Sequence, residues 1–257
     1  MKKFFALVAV MVAVMPLNAQ RRDSVYTASE QFKVTKLIAP VTLMGVGAVC
    51  ALTPAIHTSM DYSVRDWALS NNGGVTYVPL LECPETWMQF APAAAYGIAA
   101  LCGAGKHSLF EQLLVGVTAY GLMFGGTQAV KYIVNNPRPN ESPRSFLSGH
   151  TATAFMGAEL VRLEYGIWWG LAAYSVATAT AFLRIWNNWH WASDVIAGAG
   201  LGILSAHAAY WLLPLERKLF HMDSKLSGAS HYQWQATPFV ASTPAGASYG
   251  LTMSVRW

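Results

Sequence analysis

Long apolar stretches alternate with short polar ones along most of this chain, which predicts a bundle of helices. Six stretches are apolar enough to cross a bilayer or to pack inside a bundle: 38–55, 88–105, 112–134, 148–163, 167–185 and 192–213. Leu113 to Val130 contains no charged residue, and neither does Gly166 to Leu183. As helices, both could cross roughly 30 Å of hydrocarbon. We therefore predict an all-α fold, a polytopic membrane bundle of about six helices, with a loop at 57–87.

The two ends of the chain differ from the predicted bundle. Residues 1–19 combine two early lysines with a short apolar run and a small residue at the end, as a signal peptide or signal-like segment does. Residues 20–37 form an N-terminal extension before a membrane-embedded domain at 38–213. The tail, 214–257, alternates polar and apolar residues around Pro244, which predicts a short β-hairpin.

Composition favours a membrane protein. Of the 257 residues, 54% are hydrophobic and 12% are charged, and the charged share is about half that of an average soluble domain. The net charge is only +4 and no basic run exceeds two residues, so we expect no nucleic-acid partner. The three cysteines fit neither a disulfide framework nor a metal-binding pattern. We therefore expect no metal and no cofactor, and nothing in the chain implies a protein partner.

The loop charges leave two orientations open. Lys106, Arg162 and the Arg217–Lys218 pair follow the second, fourth and sixth stretches, and the positive-inside rule places such loops in the cytoplasm. A cleaved signal followed by six full spans would place them outside. Either the signal stays attached or the proline-interrupted stretch 38–55 does not cross fully. We favour the loop charges, which place the loops after the third and fifth stretches in the periplasm.

Three cations lie at or just beyond the ends of apolar stretches: Lys131, Arg138 and Arg184. Because a cation in hydrocarbon is costly, such residues usually face a cavity or a partner, or extend to the lipid headgroups. For any one of these cations alone, extension of the side chain to the lipid headgroups is the alternative interpretation. Together, the planar fork of Arg and the point charge of Lys suit a tetrahedral phosphate, so the three predict an anion site.

Ser148, Gly149 and His150 open the fourth stretch. The amino terminus of a helix presents unpaired N–H groups and a partial positive charge, which suit a phosphate. Gly149 lets the backbone approach a ligand, and Ser148 either caps the helix or donates its hydroxyl. A plain helix start without a ligand is the alternative.

His190 and Asp194 are four residues apart, so on a helix they share a face. A carboxylate in that position orients an imidazole and fixes its tautomer, as nucleophilic sites require. A structural hydrogen bond at a helix end is the alternative. With His150 nearby, one histidine could attack phosphorus and the other could protonate the leaving oxygen. The remaining histidines have no evident acidic or cationic partner at a useful spacing: His57, His107, His207, His221 and His231.

Taken together, these motifs resemble the type 2 phosphatidic acid phosphatase superfamily, in its membrane lipid phosphatase branch. The family signature is Lys, six residues, Arg-Pro; then Pro-Ser-Gly-His; then Ser-Arg, five residues, His, three residues, Asp. The matching positions are Lys131, Arg138, Pro139, Ser148, Gly149, His150, Arg184, His190 and Asp194. Leu147 stands where the family usually has Pro, and Leu183 where it usually has Ser.

The resemblance implies a metal-independent phosphatase acting on a lipid phosphate or diphosphate, in the inner membrane of a bacterium with the site facing the periplasm. His190 would form a phosphohistidine, Asp194 would orient it, and His150 would protonate the leaving group. The phosphate-binding residues would be Lys131, Arg138, Arg184, Ser148 and Gly149. Undecaprenyl pyrophosphate, lipid A phosphate, phosphatidylglycerol phosphate and phosphatidate are the candidate substrates. A lipid phosphotransferase and a non-catalytic lipid-phosphate binding or transport protein are the alternatives.

Overall fold

The computed structural model describes residues 29–74, 84–222, 233–243 and 246–256 of the chain. The described part is predominantly α-helical. The predicted signal segment, 1–19, lies outside the described residues.

Helices follow one another through most of the described chain. They are α1 Thr35–Leu52, α2 Pro54–Ile56, α3 Tyr62–Asn71, α4 Pro84–Met88, α5 Ala91–Leu101, α6 Leu109–Val134, α7 Gly149–Tyr165, α8 Ile167–Trp186 and α9 Ala192–Leu219. A π-helical turn, His57–Asp61, joins α2 to α3. The prediction of a loop over 57–87 is therefore wrong for 57–71 and for α4, since Asp61, Ala68 and Glu85 are buried in these helical segments.

Three of these helices, α1, α6 and α9, are long and apolar enough to cross a membrane. α5 has 11 residues and spans only about 16 Å, which is short of the hydrocarbon thickness. α8 has 20 residues, but it is not among the three helices that are both long enough and apolar enough to span a membrane. The chain is thus a membrane protein with three candidate spans, and the predicted count of about six is not confirmed.

Small residues bring the helices of the bundle close together. A Cβ added at Gly200 of α9 would lie 2.6 Å from the backbone oxygen of Pro40 in α1. One added at Gly198 would lie 2.6 Å from the backbone oxygen of Ser148, at the start of α7. Such contacts between backbones are typical of helix packing in lipid. α9 consequently packs against α1 on one side and α7 on another.

The directions of the helices create two distinct ends of the bundle. α6 and α8 finish where α7 and α9 begin, and the Ser148 N–H donates to the Asp194 backbone oxygen at 3.0 Å across that junction. We call this the site end. The opposite end, where α7 and α9 finish, we call the far end.

Two strands follow the bundle, β1 Gln233–Thr243 and β2 Gly246–Arg256. They pair antiparallel, with Thr243 opposite Gly246 and Gln233 opposite Arg256. Residues 244 and 245, where the turn was predicted, lie outside the described residues. The predicted domain boundaries remain predictions.

Candidate active site

Two loops at the site end, between α6 and α7 and between α8 and α9, are joined by hydrogen bonds. The Trp191 indole N–H donates to the Pro137 backbone oxygen at 2.8 Å. The backbone bond from Ser148 to Asp194 makes a second link. Residues far apart in sequence therefore meet in one buried region.

A tight turn places His190 at the start of α9. Asn188 adopts a left-handed conformation with φ 58°, which short amide side chains tolerate. The N–H groups of Trp189 and His190 both donate to the Arg184 backbone oxygen, at 3.0 and 3.2 Å. The chain reverses here, so that Arg184 and His190 lie on neighbouring sides of one turn.

The buried carboxylate of Asp194 holds the His190 ring. His190 Nδ1 lies 3.2 Å from Asp194 Oδ2. The same oxygen accepts the Trp191 backbone N–H at 3.0 Å and the hydroxyl of Ser145. Because Nδ1 faces the carboxylate, the remaining ring nitrogen, Nε2, points away from Asp194 and carries the lone pair of the neutral tautomer.

The three cations surround this dyad. Arg184 is completely buried, and its Nη1 lies 3.5 Å from Glu85 Oε1. The Trp189 ring connects the two arginines, with Arg184 Cζ 5.0 Å and Arg138 Cζ 5.7 Å from its centre. Lys131 Nζ donates to the backbone oxygen of Ser145 at 3.0 Å, and Ser145 itself contacts the dyad. All three predicted cations are thus brought to one region.

Electrostatics keep the His190 ring neutral. Burial lowers its pKa well below the usual 6.5, and the positive charges of Arg184, Arg138 and Lys131 lower it further. A neutral imidazole has a lone pair to offer a phosphorus atom, whereas an imidazolium has none.

His150, Ser148 and Gly149 lie at the start of α7, next to the dyad. His150 Nε2 is buried and has no hydrogen-bond partner among the described residues. Ser148 caps the helix, since its Oγ accepts the Thr151 N–H at 3.4 Å and the Thr151 hydroxyl at 3.0 Å. At Gly149 an added Cβ would come 3.4 Å from Thr127 Cγ2, which is van der Waals contact distance. The structure therefore brings together all eight residues predicted for the site, and it uses the Ser148 hydroxyl as a cap.

Residues 112–218 match the family model of the PAP2 superfamily. The match covers less than half of the chain, and over that region the chain is similar to the PAP2 superfamily. The matched PAP2 region contains both motif-bearing loops and the helices that hold them. The resemblance to the type 2 phosphatidic acid phosphatase superfamily, inferred from the motifs, is confirmed.

Two curated relatives are similar to part of this chain. A lipid A 1-phosphatase of Porphyromonas gingivalis is 43% identical over 116 residues, which are 43% of this chain and 26% of that protein. The bacitracin transport permease protein BcrC of Bacillus licheniformis is 37% identical over 84 residues, 32% of this chain and 39% of that protein. The chain thus spans well under half the length of either relative. The crystal structure of Aquifex aeolicus LpxE aligns with a TM-score of 0.42 at 21% identity, covering 56% of this chain and 92% of that chain.

Three further residues support the PAP2 site without belonging to the predicted set. Ser145 donates to Asp194, and Glu85 lies beside Arg184 and accepts the side-chain N–H of Asn187 at 2.9 Å. Asp61 accepts the backbone N–H of Ser193 at 2.9 Å. Ser145 lies only three residues before a motif, but Glu85 and Asp61 lie about 100 residues or more before their partners.

Three histidines that were predicted to lack partners have them. His57 Nδ1 lies 2.7 Å from Asp61 Oδ2, and the two are four residues apart, which is the spacing that identified His190 and Asp194. That signal was present in the sequence. His107 contacts Glu164 and Glu30, and His207 contacts Glu159, through pairs far apart in the chain.

Proposed function

We propose that this PAP2 protein removes phosphate from a membrane lipid phosphate or diphosphate, without a metal, through a phosphohistidine at His190. One observation carries the proposal: a neutral imidazole held by Asp194 is buried among Lys131, Arg138 and Arg184. That arrangement combines a nucleophile with the charge needed to bind a phosphate.

The first step forms the covalent intermediate. The lone pair on His190 Nε2 attacks phosphorus, and the bond from phosphorus to the leaving oxygen breaks. The leaving oxygen takes its proton from His150. Burial and the three cations lower the pKa of His150 to about 3 in the ligand-free protein, and the negative charge of the bound phosphate favours the protonated ring that this step needs. Asp194 stabilises the positive charge that develops on the His190 ring, while the three cations stabilise the phosphoryl oxygens in the transition state.

The second step releases phosphate. A water molecule attacks phosphorus and the bond to Nε2 breaks, returning the electron pair to the ring. His150, now deprotonated, accepts the proton of that water. The enzyme returns to its starting state with no external reductant, oxidant or metal.

A lipid is the proposed substrate because the site lies at one end of a bundle with three candidate membrane spans. Lipid A phosphate comes first among the candidates, since a lipid A 1-phosphatase shares 43% identity over 116 residues. Undecaprenyl pyrophosphate, phosphatidylglycerol phosphate and phosphatidate follow. We further propose an inner-membrane location with the site facing the periplasm, on the basis of the cationic far-end loops.

Two other functions are alternatives to this proposal. In a phosphotransferase, a second lipid would replace water in the second step. Similarity to BcrC, a bacitracin transport permease protein, supports the second alternative, a lipid-phosphate binding or transport protein. A pure binder needs the cations but has no use for a nucleophile with an orienting carboxylate, so the His190–Asp194 pair favours the enzyme.

The test is phosphate release by the full chain, purified in detergent with EDTA and supplied with each candidate lipid in turn. We expect release from at least one lipid, and none from the His190→Ala variant. The exposed His221 at the far end provides a matched control, and His221→Ala should retain activity. Absence of release from every lipid, with lipid binding retained, would support the binding protein instead. Transfer of the phosphate to a second lipid would support the phosphotransferase.

A further inference from the structure

A cleft of about 580 Å³ opens at the far end of the bundle, among α1, α7, α8 and α9. Arg162 lines it from the last turn of α7, whereas His150 lies in the first turn of that helix. Twelve residues of helix separate the two, which corresponds to about 18 Å. The cleft is therefore a separate feature from the PAP2 site.

One carboxylate fixes two positively chargeable groups on the cleft wall. Glu159 accepts hydrogen bonds from Arg162 Nε at 2.6 Å and from Nη2 at 2.5 Å. Its Oε1 also lies 2.8 Å from His207 Nε2, and the Tyr174 hydroxyl donates to Oε2 at 2.7 Å. Arg162 and His207 are thus held in place before any ligand arrives.

The cleft lining has an excess of positive charge. Lys36, Lys106 and Arg162 face it, and Glu159 is the single acidic residue among the described lining residues. Lys106 Nζ donates to the Leu163 backbone oxygen at 2.7 Å, which uses one of its three donors. An anion entering the cleft therefore meets hydrogen-bond donors as well as charge.

A buried polar atom points to a ligand independently. His207 is 4% exposed, and its Nδ1 has no hydrogen-bond partner among the described residues. Because Nε2 lies 2.8 Å from Glu159 Oε1, the contact with the protein uses that nitrogen, and Nδ1 is left for a group outside the described residues. The polar headgroup of a ligand in the cleft would supply the missing hydrogen-bond partner.

We propose that this cleft binds the phosphate of an anionic phospholipid headgroup in the leaflet at the far end. Basic clefts between membrane helices suit such headgroups, and the cationic loops predict that this end is cytoplasmic, where anionic lipids are abundant. α1 also exposes Ile38 and Val41, which offer an apolar surface to acyl chains. Inorganic phosphate has the same chemistry as the phosphate of a lipid headgroup, so the experiment must distinguish inorganic phosphate from the lipid. The proposal does not depend on the phosphatase activity.

Native mass spectrometry of the full chain in detergent, titrated with phosphatidylglycerol, measures the binding. The Lys36→Gln/Lys106→Gln variant removes two charges from the cleft. Lys33→Gln/Lys218→Gln removes two exposed charges near the same end and is the matched control. We expect affinity on the order of tenfold or more weaker in the cleft variant, with the control unchanged. Lys36→Arg/Lys106→Arg should retain binding and shows whether charge at these positions is the cause.

Comparing different lipids separates the effect of headgroup charge from that of acyl-chain contact. Phosphatidylcholine should bind much more weakly than phosphatidylglycerol, and inorganic phosphate at equal concentration should not displace the lipid. Equal affinity of the cleft variant and the matched control would overturn the site. Equal binding of the two lipids would overturn recognition of an anion, and displacement by inorganic phosphate would overturn the lipid as occupant.

Discussion

At the scale of single residues, the chemistry depends on which nitrogen of His190 carries a proton. Asp194 Oδ2 accepts two donors, the Trp191 N–H and the Ser145 hydroxyl, in addition to facing Nδ1, so the carboxylate is fixed on one side of the ring. The opposite nitrogen is left to the substrate. Burial and the surrounding cations lower the pKa of the ring and keep it neutral, and the cations would attract the phosphate that we propose it attacks.

The first prediction concerns the protonation of His190. Its pKa lies below 6.5, so the neutral, nucleophilic form is present above that lowered value and is lost only as the pH falls through it. NMR titration of the ligand-free protein, labelled with ¹⁵N at histidine and assigned with His190→Ala, should give a midpoint below 6.5. A midpoint at or above 6.5 would contradict the electrostatic account.

The second prediction concerns His150 as the general acid. His150→Ala should lower the rate by on the order of 10²–10⁴ for a lipid phosphate, because an alkoxide leaves poorly without a proton. The loss should be much smaller for nitrophenyl phosphate, whose leaving group needs little protonation. Rates measured with both substrates test this, and equal losses would exclude the role.

At the scale of elements, the position of α9 determines where the dyad lies. Asp61, in the π-helical turn, accepts the Ser193 backbone N–H at 2.9 Å and the Ser193 hydroxyl at 2.6 Å. Ser193 directly precedes Asp194 in the first turn of α9. The segment after α1 therefore fixes the start of the helix that carries the carboxylate.

The third prediction follows for Asp61 as a positioning residue. Asp61→Ala should lower kcat by about 10- to 100-fold with little change in KM, since a small displacement of the dyad slows the reaction more than it weakens binding. Asp61→Asn, which keeps one acceptor oxygen, should restore part of the rate. The exposed Asp66 in α3 provides the control variant Asp66→Ala. A rise in KM at constant kcat would contradict a positioning role.

At the scale of the whole molecule, a buried network joins the elements at the far end. His107 Nδ1 lies 2.6 Å from Glu164 Oε2, and its Nε2 lies 2.9 Å from Glu30 Oε1. Arg217 bonds to Glu30 and, through Nε at 2.8 Å, to Glu111. The network ties the segment before α1 to α6, α7 and α9.

The fourth prediction is a pH dependence of stability. Burial lowers the pKa of His107, but its hydrogen bonds to Glu164 and Glu30 outweigh burial and raise the pKa above 6.5. The stabilisation is thus complete below 6.5 and is lost as the pH rises through the raised value. His107→Gln should cost about 2 kcal/mol at pH 6 and less at pH 9. Thermal unfolding at both pH values measures this, with His221→Gln as control, and an equal cost at both would refute it.

The site was predictable from sequence to the extent that its chemistry depends on local spacing. The pair four residues apart, His190 and Asp194, lies on one helical turn, so spacing alone placed the two together. The support from Asp61 and Glu85 was not predictable, because tertiary packing joins them to residues more than 90 positions away. His57 and Asp61 show the opposite case, since their local spacing did carry the signal.

The fold was predictable where apolar runs are long and uniform, as in α6 and α9. Prediction failed over 57–71, where charged residues indicated a loop but Asp61 is buried and bonded to Ser193 in a continuous helical segment. It also failed for the length of α5, which the loop over residues 102–108 cuts short. Hydropathy reports how a segment partitions between water and lipid, and it does not report where neighbouring helices end.

The most direct measurement of the central claim is the trapping of the phosphorylated enzyme. The full chain is mixed with a lipid labelled with ³²P in the departing phosphate, quenched within milliseconds in alkali and digested for peptide mapping. The account predicts label that is stable to base, labile to acid and located on His190, and that is absent from His190→Ala. Rapid phosphate release with no label on the protein, or label on His150, would contradict it.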